Sequence, residues 1–284
     1  MFKGDRMQKT IIEPNAHNMQ YWKDLWRYRE LAFNFAKRDV TVRYKQTVIG
    51  FGWAVISPII NMLLMTFIFG GVAGLSSEGD TPYYIMVYAG LIPWALLSKS
   101  LQSGAGTFIS NAAIMNKVYF PRILSPLGSM LAFLIDTAIS FGVLFILMII
   151  FYFLEGFVPS IRMLLCPFVL IWVAMLGLFA GLFLSAFNVK WRDLNQLLPF
   201  LISIGQYASP VAYSVSENFG DKWWLPIYCI NPAVGVLETF KWCIIDSMEF
   251  NSLAFFISLG WTVVFIPLGI KFFRKTERTF VDIV

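Results

Sequence analysis

The chain has 284 residues, 58% of them hydrophobic and only 14% charged, with a mean hydropathy of +0.67. Roughly a quarter of a soluble domain's residues are charged, so an ordinary soluble globular fold is excluded and an all-α membrane protein is expected. The formal charge of +5 and pI near 9.1 would suggest nucleic acid in a soluble protein. Here they follow from membrane topology, and no nucleic-acid partner is expected.

Six apolar segments, near 47–75, 83–108, 123–153, 163–187, 194–213 and 253–270, each approach or exceed the ~20 residues that cross a bilayer. Threaded alternately, they leave 18 of the 22 Lys and Arg on one side. Three (Arg162, Lys222 and Lys241) fall on the other, and Lys99 lies inside a segment. By the positive-inside rule the basic side is cytoplasmic, and both termini are expected there. The division is a head at 1–46, a six-span transmembrane region at 47–270 and a tail at 271–284. No basic start leads into a short apolar core, so no cleavable signal peptide is expected, and the first span acts as its own insertion signal.

In the head, Lys23, Arg27, Glu30, Asn34, Lys37 and Arg38 recur at steps of three and four opposite a stripe of Tyr21, Leu25, Tyr28, Ala32 and Phe35. This predicts one amphipathic helix over about 21–38, flat on the cytoplasmic leaflet, with Trp22, Trp26 and Tyr28 at headgroup level. A soluble helix packed on a partner has the same pattern. His17 carries no catalytic expectation. Pro58, Pro93 and Pro199 are predicted to kink their spans, and Gly50, Gly52, Gly104 and Gly106 to permit close helix approach. The loop at 110–122 suffices for a helical turn or two across the membrane face, ended by Pro121. Tyr119 and Phe120 then project away from water, toward a partner or merely into the headgroups.

Asp136 is the clearest intramembrane charge, with Lys99 in the second span and Glu238 in the last outer loop. Such groups are costly and point to function, but one Asp is thin support for ion coupling, and a structural pairing is the favoured role. The outer loop 214–251 contains two apolar stretches of about a dozen residues each. They read as half-helices dipping back into the membrane, the second capped by Asn231 with Pro232 in its first turn. They form a candidate outer gate or interfacial padding. Cys166, Cys229 and Cys243 have no metal spacing and suit plain packing; pairing of Cys229 with Cys243 stays open. No Gly-x-x-x-x-Gly-Lys-Ser/Thr phosphate loop occurs, so ATP hydrolysis is expected from a separate subunit. A glycosyl-transfer reaction would need a sizeable extramembrane loop presenting paired carboxylates or a His; Glu217, Asp221, Asp246 and Glu249 are the candidates, and they read as solvated charge.

Several runs, taken in order, resemble one family. They are Arg38-Asp39-x-x-x-Arg43-Tyr44-Lys45-Gln46-x-x-x-Gly50-x-x-Trp53-x-x-x-x-Pro58, then Asn116-Lys117-Val118-Tyr119-Phe120-Pro121-Arg122, then Val189-Lys190-Trp191-Arg192-Asp193-Leu194 with Pro199-Phe200. Ser209-Pro210-Val211-x-Tyr213 and Asn231-Pro232 with Glu238 complete the series. The chain resembles the ABC-2 type permeases that export polysaccharides, with Ile49 where relatives more often carry Leu. The resemblance implies a type V exporter permease fold in a bacterial inner membrane and a homodimer forming one pore. It also implies two nucleotide-binding ATPase subunits holding ATP and Mg, this chain binding no cofactor itself. The implied substrate is a lipid-linked polysaccharide such as O-antigen on undecaprenyl diphosphate.

On this reading Asn116, Lys117, Tyr119, Phe120, Pro121 and Arg122 couple to the ATPase. Arg38, Arg43, Tyr44, Lys45 and Gly50 form the inner mouth for the lipid diphosphate, or carry ordinary inside charge. Trp223, Trp224, Tyr228, Asn231, Pro232 and Glu238 form the outer gate. The 28 Phe, 11 Tyr and 10 Trp would pave a sugar tunnel, though most would equally face lipid or pack helices. Teichoic acid and capsule exporters share these features, and an ABC-2 drug or lipid efflux permease shares the topology. A membrane-embedded glycosyltransferase is the alternative from another class.

Overall fold

The structure is a computed structural model that describes residues 18–45, 52–110, 120–191, 193–219 and 222–280. The coupling residues Asn116, Lys117 and Tyr119 and the inner-mouth residue Gly50 lie outside these. Every regular element among the described residues is helical. In chain order they are α1 (Asn18–Arg27), α2 (Arg29–Tyr44), α3 (Gly52–Met65, continuing as a π-helix over Thr66–Val72), α4 (Tyr83–Ser110), α5 (Leu124–Glu155) and α6 (Cys166–Lys190). There follow α7 (Leu194–Ala208), α8 (Val215–Phe219), α9 (Leu225–Cys229), α10 (Pro232–Ile244) and α11 (Ser252–Phe280).

Among the described residues, five helical stretches are long and apolar enough to cross a membrane: 52–72, 83–110, 124–155, 161–190 and 252–278. The chain is a multi-pass membrane protein. Of the most apolar part of α4, 67% is buried, against 11% for α3 and 17% for α5. α4 is therefore the central helix, while α3 and α5 turn side chains such as Phe67 and Phe153 outward, as a lipid solvent requires.

The segment expected as a fifth crossing, 194–213, is helical for 15 residues only, about 22 Å against a core of about 30 Å. Pro210 disfavours helical backbone at Ser209, which is extended (φ −101, ψ 156), and the helix stops there. Even so, the segment runs antiparallel to α4 over most of its height. Asn188 Nδ2 donates to both Ala105 O and Asn195 Oδ1 (2.9 Å each), Gly205 lies against the Trp94 ring, and Tyr83 Oη donates to Ala212 O (2.6 Å).

The α4–α6 seam is built on small residues. A Cβ at Gly181 would stand 2.4 Å from Leu101 O, and one at Gly104 would stand 3.0 Å from Gly181 Cα. Gly104 meets its expected role, whereas Gly106 would meet only Ser110 Oγ at 3.5 Å and lies off the crossing.

The head differs from the single helix expected. It breaks at Tyr28 (φ −93, ψ 15), and α2 runs beside α5 rather than flat across the membrane face. Gly128 receives Phe35, Ser129 Oγ donates to Asp39 Oδ2 (2.6 Å), and Arg43 pairs with Asp136. Eight residues of each helix advance together, so α2 and α5 are parallel. Trp22 and Trp26 on α1 are exposed.

Of the two expected outer half-helices, the first reduces to the five-residue α9 and the second is α10 with 13 residues. Asn231 Oδ1 caps α10 by accepting from Ala233 N (3.0 Å), with Pro232 in its first turn. All three cysteines are buried free thiols, so Cys229 and Cys243 are not bridged.

Candidate functional site

A cleft of about 810 Å³ opens among α2, α3, α4, α5 and α7. Its charged lining residues are Arg43, Lys99 and Asp136. Arg43 pairs with Asp136 Oδ2, Lys99 Nζ lies 3.3 Å from the same oxygen, and Tyr44 Oη donates to Oδ1 (2.7 Å). Phe133 carries the Arg43 guanidinium on its face at 4.8 Å, a geometry that favours a planar cation. Burial, followed by the Asp136 carboxylate, pushes the Tyr44 phenol up to about 12, which keeps Tyr44 a neutral donor. Trp53, Tyr88 and Trp94 contribute aromatic lining, Tyr88 and Trp94 from buried positions.

The other expected inner-mouth cations point elsewhere. Arg38 pairs with Asp39 (2.9 Å) over the Phe35 ring, and Lys45 is an exposed cap on α2. Each charge of the Lys99–Asp136 pair is visible in the sequence as an intramembrane ion; their meeting depends on the relative phase of two spans.

At the basic end, Phe120 is turned into the protein's own core, its ring 5.6 Å from that of Phe35, and does not project outward. Pro121 opens the turn into α5, its carbonyl accepting from Leu124 N (3.0 Å). Arg122 is held by Glu277, whose Oε1 accepts from Arg122 N (2.9 Å) while its Oε2 accepts from Tyr21 Oη (3.2 Å). Glu277 thus joins α1, the loop before α5 and α11. It lies in the expected tail, where nothing local marks a carboxylate as buried.

At the opposite end, the Tyr228 and Tyr213 hydroxyls are 2.8 Å apart, Tyr228 Oη donates to Ala208 O (3.0 Å), and Asn231 Nδ2 donates to Ser209 Oγ (3.1 Å). Trp224 packs on Phe219 and Tyr228, whereas Trp223 is 84% exposed. The carbonyl of Pro232 accepts from Ser258 Oγ (2.7 Å). Glu238 forms a buried pair with Lys241 (2.6 Å), and Lys241 also donates to Tyr213 O (2.6 Å). Burial raises the Glu238 carboxyl above its ordinary range, with Lys241 pulling the other way. Lys241, counted in the sequence as an outer-loop cation, is fully buried. Nearby, Glu78 Oε1 accepts from Ser214 Oγ and from Ser216 Oγ (2.9 Å).

A family model described as "ABC-2 type transporter" matches residues 31–245. The chain belongs to the ABC-2 type transporter family. This ABC-2 chain is 25% identical over 260 residues to an O-antigen export system permease protein RfbA of Klebsiella pneumoniae, covering 90% of this chain and 95% of that one. It is 25% identical over 219 residues to the RfbA of Myxococcus xanthus, covering 77% and 82% respectively. With the polysialic acid transport protein KpsM of Escherichia coli the identity is 22% over 249 residues, or 85% and 91%. The matched stretch of the ABC-2 chain takes in the cleft residues Arg43, Lys99 and Asp136 and the outer helices through α10.

Proposed function

We propose that this chain is the channel-forming subunit of an ATP-driven exporter of lipid-linked polysaccharide. The polymer is O-antigen on undecaprenyl diphosphate, and the membrane is a bacterial inner membrane with both termini cytoplasmic. The observation that carries this reading is the end-to-end similarity to O-antigen export permeases, over 90% of this chain and 95% of the relative. An aromatic-walled cleft with cations at one end supports it, because a sugar chain on an anionic headgroup needs both surfaces.

The sixth crossing is made by α7 together with the turn at 209–213. Two copies meet across α3 and α7, whose outward apolar side chains flank the cleft, and close it into one pore. Two separate nucleotide-binding subunits hold ATP and Mg beneath the pore. Asn116, Lys117, Tyr119 and the Pro121–Arg122 turn form the coupling surface, with Phe120 anchoring it in the core. Arg43 and Tyr44 stand at the inner mouth, and Trp224, Tyr228, Asn231 and the Glu238–Lys241 pair close the outer end. The similarity to a polysialic acid transport protein favours a second polymer class, capsule.

In a strain lacking this gene, lipid-linked polymer is expected to accumulate on the inner face of the inner membrane and to disappear from the cell surface, with complementation restoring it. The lipid on the trapped chain separates O-antigen from capsule. Normal surface polymer with altered drug sensitivity would replace the proposal with an efflux permease.

A further inference from the structure

Cys166 and Cys243 meet at the outer end of the molecule. Both are fully buried in the main core, and their thiols are hydrogen-bonded to one another. Cys166 opens α6, and Cys243 lies in the last turn of α10, 77 positions further on. The segment leading into α6 is fastened to the end of α10 at the same place. Ser160 N donates to Ile244 O (3.0 Å) and Ser160 Oγ to Asp246 Oδ1 (2.7 Å). Arg162 Nη2 donates to Ile245 O (3.3 Å) and Asp246 O (2.8 Å), and its guanidinium lies over the Trp242 ring at 4.4 Å. Both backbones are thus fixed where the sulfurs meet, within side-chain reach of an S–S bond of about 2.0 Å.

Cys229 is excluded from this pairing. It precedes α10, in a separate cluster with Val215, Val234 and Ala254. Nearly the whole of α10, about 16 Å from Pro232 to Cys243 at 1.5 Å per residue, separates it from Cys243. Cysteines that bridge have Cα atoms within about 7 Å of each other. The same arithmetic places the pair across the membrane. Cys166 and Lys190 are the two ends of α6, about 36 Å apart, and the cations mark the Lys190 end as the inner one.

We infer that Cys166 and Cys243 form a disulfide that staples α10 to the start of α6, closed by a thiol-oxidising protein disulfide on the outer side of the membrane, where disulfides persist. One cysteine thiolate attacks the oxidant's S–S bond, giving a mixed disulfide and one oxidant thiol; the second then attacks the mixed disulfide and releases the other. Two S–H bonds are lost and one S–S bond forms, and the oxidant leaves as a dithiol carrying both electrons and both protons. The Arg162 guanidinium acts on Cys243 and favours its thiolate. Because both sulfurs are fully buried once α10 is docked, closure belongs to the stage before docking, and the same burial then shields the bond from reductants. The staple fixes the helix that carries the Glu238–Lys241 pair. The oxidising compartment rests on the orientation proposed above; the pairing rests on the thiol contact.

The test is thiol counting on the full chain from cells quenched with acid, denatured and treated with N-ethylmaleimide, after growth with and without dithiothreitol. Of the three cysteines, only Cys229 is expected to be alkylated without dithiothreitol and all three with it. A linked peptide is expected to join Cys166 to Cys243. Cys166→Ala and Cys243→Ala are each expected to leave two alkylated thiols. The chain from untreated cells is expected to melt higher in detergent than that from dithiothreitol cultures, a difference absent in Cys166→Ala. Three alkylated thiols without dithiothreitol overturn the staple, and a linked peptide containing Cys229 overturns the pairing. An impermeant maleimide on Glu217→Cys in spheroplasts reads the orientation independently. Three free thiols with that label outside remove only the staple; three with the label inside remove the proposed orientation as well.

Discussion

Tyr44 shows how burial and one contact together hold a phenol neutral. Its phenol is raised from 10.0 to about 12 by burial and by donation to Asp136. A group whose folded pKa is raised stabilises the fold fully below the unfolded value and loses that contribution as pH climbs through the folded one, here between about 10 and 12. Tyr44→Phe is expected to remove one tyrosinate transition near pH 12 from the ultraviolet titration and to cost about 1.5–3 kcal/mol at neutral pH, the range for a hydrogen bond to a charged group. The Glu238–Lys241 pair obeys a different rule. Removing one partner of a buried pair strands the other charge at a cost of about 3–5 kcal/mol, while replacing both is often neutral. Lys241→Met is thus expected to lower the detergent melting temperature strongly, and Lys241→Met with Glu238→Leu to recover most of it. Asp136, Lys99 and Glu238 were legible in the sequence because a charge within apolar surroundings stands out. Their partners were not, since Arg43 and Asp136 are 93 positions apart and Glu277 lies among ordinary tail charges.

Among the elements, the α4–α6 seam depends on backbone proximity. Gly181→Val would set a Cβ 2.4 Å from Leu101 O, so one helix must move. The expected cost is about 1–3 kcal/mol, the range for overpacking, whereas Gly106→Ala, with only Ser110 Oγ at 3.5 Å, is expected to leave the melting temperature unchanged. Thermal melts of the two variants in one detergent check the contrast. The crossing helices themselves were readable because twenty apolar residues have few alternatives in water or lipid. Which glycines lie at a crossing was not readable, because Gly104 and Gly106 differ only in helical phase. The amphipathic stripe of the head was read as one helix at the leaflet; Phe35, Asp39 and Arg43 draw its second half along α5, a tertiary pull that a local period does not contain. The Asn231-Pro232 start of α10 was readable because capping is local.

The whole molecule is a set of apolar helices around α4, with cations concentrated at one end and a cleft reaching from that end between α3 and α7. If α7 with 209–213 completes a crossing, single cysteines at Lys190 and Glu217, which flank it, label from opposite faces of the membrane; labelling from the same face would remove that crossing. Family membership was legible because its motifs lie along nearly the whole chain in order, while the proposed pairing of copies and the proposed polymer path depend on surfaces that no motif encodes. The central claim is ATP-driven export of lipid-linked polysaccharide, and uptake by inverted inner-membrane vesicles tests it most directly. Vesicles from the complemented strain are expected to take up added lipid-linked polymer into a glycosidase-protected compartment only with ATP, and vesicles from the deletion strain to take up none. Equal protection in both, with or without ATP, would contradict the account.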